Sequence, residues 1–69
     1  MYRFKIEKKQ DLLNGQKINV SASKIGISRE YMTDVLNNRK DCSKLVAYCI
    51  TKFSNENAEI QDYFDIVKD

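Results

Sequence analysis

The sequence predicts an all-α, mainly helical domain of four to five short helices, with the two ends of the chain free to pair as short strands. Three features carry that expectation. Apolar residues recur at spacings of three and four along most of the chain, the repeat that gathers side chains on one helical face. The stretches between them are punctuated by Gly, Asn, Asp and Ser, and the chain has no proline at all. Only the ends alternate. "YRFKI" sets Tyr2, Phe4 and Ile6 against Arg3 and Lys5, and near the other end Phe64 and Ile66 alternate with Asp65 and Val67, the period of a strand.

Size and composition narrow the classes. A chain of 69 residues makes one domain and hides only about 60% of the surface its unfolded form exposes, which leaves no room for a deep enzyme cleft beside a core. An apolar fraction of 42% with 32% charged is that of a folded globular protein rather than a disordered one. The longest apolar run, Leu45 to Ile50, is far short of the roughly 20 residues a bilayer requires, and "MYRFKIEKKQ" lacks an apolar leader segment. The expected location is the cytoplasm, with no membrane partner. Two cysteines without any histidine are too few for a disulfide scaffold or a zinc site. Cys42 falls in a polar stretch and Cys49 at an apolar helical position, so they read as a turn residue and a small buried one. The missing histidine also removes the usual general base. No metal, cofactor, small-molecule substrate or catalytic residue is therefore expected.

Charge is uneven along the chain. Residues 1–53 hold eleven Lys or Arg against five Asp or Glu, a balance of +6, whereas residues 54–69 hold one against five, a balance of −4. A basic body followed by an acidic tail can turn its body to phosphates. A solvated surface with an irregular charge pattern explains the same numbers.

In chain order, residues 7–13 favour a helix that "NG" at Asn14 and Gly15 stops, because glycine enters the left-handed region that ends helices. A second helix over 18–25 lines up Ile18, Ala22 and Ile25, and Gly26 ends it. Ser28 is placed to cap a third helix, over 29–37, whose inward stripe is Met32, Val35 and Leu36. "NNRKDCS" is a polar turn. The fourth helix, 43–53, has Leu45, Val46, Tyr48, Cys49, Ile50 and Phe53 spread around more than half of its circumference, which predicts a central helix covered from several sides, with Tyr48 in the core. A helical turn over 59–64 follows, and the last residues either continue it or pair with "YRFKI". Ile60, Phe64 and Val67 then close the core or form a symmetric dimer contact.

Ala22, Gly26, Ile27, Ser28 and Met32 together describe two helices joined by a tight turn. Ala22 is small where the helices meet, Gly26 supplies a positive φ, and Ile27 fills the space beneath the turn. This is the helix-turn-helix pattern, over about 18–37. From Lys17 to Phe53 the chain resembles the Cro/C1-type repressors of phages and bacterial mobile elements, through "ASKIGISREYMTDVLNNRK", the following "SKLVAYCITKF", and "DYF" at 62–64. One position departs from the pattern. Where the family usually has Leu before the small Ala, this chain has Ser21, which predicts a shifted or irregular start to the second helix.

The resemblance implies a sequence-specific regulator of double-stranded DNA, read by paired subunits in a bacterial host, with the third helix in the major groove. Arg29 could then grip guanine, Glu30 or Asp34 accept from a cytosine amino group, and Tyr31 or Thr33 touch a thymine methyl. Lys17, Asn19 and Ser28, near helix N-termini, with Asn37 at the end of the third helix and Arg39, Lys40 and Lys44 beyond it, would hold phosphates. Glu30 also has a structural reason to be there, the positive end of its helix; Asp34 has none of that kind. Solvated surface remains the plain alternative for all of these residues. The alternative from another class is a protein-binding module of antitoxin or anti-repressor kind, with the acidic groups of the third helix and the tail docking a basic protein.

Overall fold

In the computed structural model, which describes residues 1–68, the two ends of the chain meet. Strand β1 (Tyr2–Phe4) pairs antiparallel with β2 (Phe64–Ile66), Tyr2 opposite Ile66 and Phe4 opposite Phe64. Alternation sends Phe4 and Phe64 to the same side, where both are buried and their rings meet edge to face at 5.3 Å. Residues on one side of a strand pair are the unit of its stability. The other edge of β1 is also used: Tyr2 and Cys42 exchange backbone hydrogen bonds of 2.7 and 2.8 Å.

Between the strands run a 3₁₀ turn (Ile6–Lys8), then helices α1 (Lys9–Leu13), α2 (Ile18–Ile25), α3 (Arg29–Leu36), α4 (Lys44–Ser54) and α5 (Ile60–Tyr63). The mainly helical class and the terminal strand pair agree with the sequence-based expectation, and no helix among the described residues is long and apolar enough to cross a membrane. The core is drawn from every layer: Phe4, Leu12, Ala22, the α3 stripe Met32, Val35 and Leu36, then Ala47, Ile50 and Phe64. Phe64 is thus spent inside the domain, which removes it from the dimer contact suggested for Ile60, Phe64 and Val67. Ile60 packs on the core's edge, and Val67 is half-buried.

Three expectations need correction. The fourth helix is covered from one side only. Ala47, Ile50 and Thr51 are buried, while Leu45 is 71% and Tyr48 49% exposed, so no other element among the described residues lies over them. Tyr48 instead carries the Lys52 ammonium 5.8 Å above its ring. The cysteines differ from the expectation in burial: Cys42 is fully buried as the partner of Tyr2, and Cys49, within α4, is only half-buried. The second helix is neither shifted nor irregular. It begins at Ile18, and the buried Ser21 donates its hydroxyl to Gln16 Oε1 at 3.2 Å, so the polar side chain standing in for Leu has a partner at the helix start.

Candidate nucleic-acid interface

The α2–α3 junction is set by backbone chemistry. Gly26 lies at φ 95°, ψ 24°, a conformation that costs an L-residue with a Cβ. With Gly26 there, its N–H and that of Ile27 both turn back to the Ala22 carbonyl, at 2.9 and 3.1 Å. Ile27 packs against the core under the turn. Two residues after Gly26, Ser28 caps α3, its Oγ accepting from the Tyr31 N–H at 3.0 Å. Ser28 Oγ is therefore engaged in the cap, where it satisfies one of the amides that a helix start leaves unpaired.

With Met32, Val35 and Leu36 buried, the opposite face of α3 forms a ridge between two shallow depressions. Arg29 and Thr33 border both. On one side lie Lys9, Gln16, Lys17, Asn19 and Asn37; on the other, Glu30, Asp34 and Arg39. Eight of the twelve residues singled out from the sequence thus share one surface. Lys9 and Gln16 join them unannounced, since a lysine in α1 has no sequence signal linking it to α3. Its Nζ donates to Asn37 Oδ1 at 2.8 Å.

Asp34 and Asn37, which the inward stripe of Met32, Val35 and Leu36 would send to the outer face, are half-buried because each is held. Asn37 is held by Lys9. The Asp34 carboxylate stands 3.5 Å from Arg39 Nη1 and 3.8 Å from Lys40 Nζ. Arg29 and Glu30 are exposed, and neither has an ion-pair partner among the described residues. Tyr31, expected to touch a thymine methyl, packs on the core edge, with Lys40 Nζ 6.0 Å above its ring. Burial first, and the neighbouring Cys42 second, raise its phenol pKa. Cys42 itself is pushed up to about 11, chiefly by burial and then by Asp41, so the thiol beneath this face stays protonated and inert at neutral pH. Lys44 begins α4, exposed and outside both depressions.

The electrostatics favour an anionic ligand. Lys9, Lys17, Arg29, Arg39 and Lys40 stand against Glu30 and Asp34, a net of three positive charges around α3. The first amides of α2, next to Lys17 and Asn19, add their own attraction for anions. Two acids of the tail are engaged away from this face. Asp65 lies 3.9 Å from Lys5 Nζ, and Asp62 accepts from the Glu59 N–H at 2.8 Å in the cap of α5.

No family model matches the chain, and no curated protein or solved structure matches it either.

Proposed function

We propose that this chain is a sequence-specific regulator of double-stranded DNA, of Cro/C1 type, that lays α3 in the major groove. Arg29, Glu30 and Thr33 face the base edges. Lys17, Asn19 and Arg39 meet phosphates on the two flanks, with Lys9 and Lys40 adding charge. The observation that carries this reading is the ridge formed by Arg29 and Thr33, flanked by cations on both sides and bordered by no acid of the tail among the described residues. An exposed helix with base-reading groups along its crest and basic groups beside it suits a groove bordered by phosphates. The proposed setting is a bacterial host's cytoplasm, with two copies reading a two-fold operator.

A protein-docking module is the second reading, favoured by the exposed Leu45 and Tyr48 of α4. Duplex titrations at several salt concentrations separate the two. About four neutralised phosphates give a log–log slope of about −3.6, a loss of roughly 150-fold in affinity from 50 to 200 mM salt. Binding too weak to titrate at 50 mM, in a protein shown to be folded, would reject the DNA reading and leave the docking module.

A further inference from the structure

The helix ending at Leu36 closes with Asn38 at φ 62°. The Asn38 N–H donates to the Val35 carbonyl at 3.2 Å and the Arg39 N–H to the Asp34 carbonyl at 2.8 Å. That pair of hydrogen bonds is the Schellman closure, in which a left-handed residue folds the chain back over the last helical turn. Its effect here is to return Arg39 and Lys40 to the side of α3 where Asp34 stands. A carboxylate in the last turn of a helix faces the negative end of the dipole. The two returned cations, at 3.5 and 3.8 Å, offset that cost. Both keep most of their surface in water, 66% and 59% of their side chains, whereas Asp34 keeps 28%. The cations are thus within reach of a ligand, and the carboxylate is the less accessible member of the group.

We infer that Asp34 is a built-in competitor for Arg39 and Lys40: it occupies them in the free protein and thereby lowers affinity for phosphate backbones of any sequence. This rests on the duplex-binding reading and changes the role of Asp34 within it, from reading a base to setting the strength of the electrostatic grip. Contact with a phosphate must draw both cations away from, or share them with, a carboxylate already in place. The polyanion therefore gains less from them than from Lys17, which has no carboxylate beside it among the described residues. Glu30, one turn earlier on the same face, is without a cation partner among the described residues and supplies a charge-matched control.

The test uses the full chain and Asp34→Asn, Glu30→Gln, Arg39→Ala and the D34N/R39A pair, each checked for a cooperative melt. Asp34→Ser repeats the test should the amide fail to fold. On immobilised heparin, a polyanion without base sequence, D34N should elute at distinctly higher salt than E30Q, although both lose one negative charge. On duplex DNA, D34N should bind every sequence about tenfold more tightly at low salt, from two surface ion pairs released, with a log–log slope steeper by about one to two. Alanine at Arg39 should cost more affinity in the D34N background than in wild type. Equal elution of D34N and E30Q, or additive effects of D34N and R39A, overturns the competition. So does a D34N variant whose base preference changes at one operator position, for that outcome makes Asp34 a base reader. Late elution of D34N from heparin by a protein that binds no duplex would uphold the competition and reject the DNA reading.

Discussion

Gly26→Ala isolates the turn that aims α3. A Cβ built at Gly26 meets nothing within 4 Å, so the substitution creates no clash and its cost is confined to the backbone. At φ 95° an L-residue pays about 1–2 kcal/mol for left-handed geometry, and the stiffer unfolded alanine chain returns roughly 0.4–1 kcal/mol. A net loss of about 1 kcal/mol is expected, or a fall of about 4–8 °C in Tm for a domain of this size. Asparagine is the graded control, because Asn14 and Asn38 already hold φ values of 49° and 62° in this chain; Gly26→Asn should lose about half as much. Urea unfolding followed by far-UV circular dichroism measures both, and folded G26A should keep the wild-type duplex preference. A loss beyond about 3 kcal/mol would mean that something other than φ opposes the side chain. No loss at all would mean that this turn does not hold residue 26 at positive φ.

Other perturbations read different links of the chain. Thr51 Oγ1 is buried without a hydrogen-bond partner among the described residues, so Thr51→Val should raise stability by about 1 kcal/mol in the same urea assay. Arg29→Ala should relax base preference at one operator position by about 1–3 kcal/mol, whereas Lys17→Ala should weaken all duplexes alike and flatten the salt slope by about one; identical behaviour of the two would undo the division between crest and flank. The Cys42 thiol, raised from its ordinary 9.0 to about 11, ionises in the unfolded chain before it does in the folded one. Stability should therefore hold below pH 9 and fall through the window from 9 to 11, by about 1.4 kcal/mol per unit at most. Chemical denaturation of wild type and Cys42→Ala across that window should show the difference, and parallel curves would argue against the burial of Cys42.

The elements whose signals are local were legible in the sequence. Ile18, Ala22 and Ile25 gave the second helix, Ser28 and the Met32–Leu36 stripe gave the third, and the alternation around Phe4 and Phe64 gave the terminal strand pair. In each case hydrophobic period and turn chemistry point the same way. What escaped depends on which element lies opposite. Leu45 and Tyr48 look like core residues on a helical wheel, yet no element among the described residues covers them. Cys42 looks like a turn residue until β1 is seen to pair with it. The candidate surface divides in the same way. The outward place of Glu30 follows from the buried stripe alone, whereas Asp34 and Asn37, which the same stripe sends outward, are half-buried. The partners of Asp34 depend on Asn38 taking a positive φ, and the bond from Lys9 to Asn37 spans 28 residues; spacing within α3 carries no trace of either.

Selection of bound sequences from a random duplex pool asks the molecule itself what α3 reads. Enrichment of a short motif, repeated as two half-sites about 10 base pairs apart and degraded at one position by Arg29→Ala, is the expected outcome. A folded protein that retains duplexes at low salt without enriching any sequence, or retains none, would contradict α3 as a reader of bases.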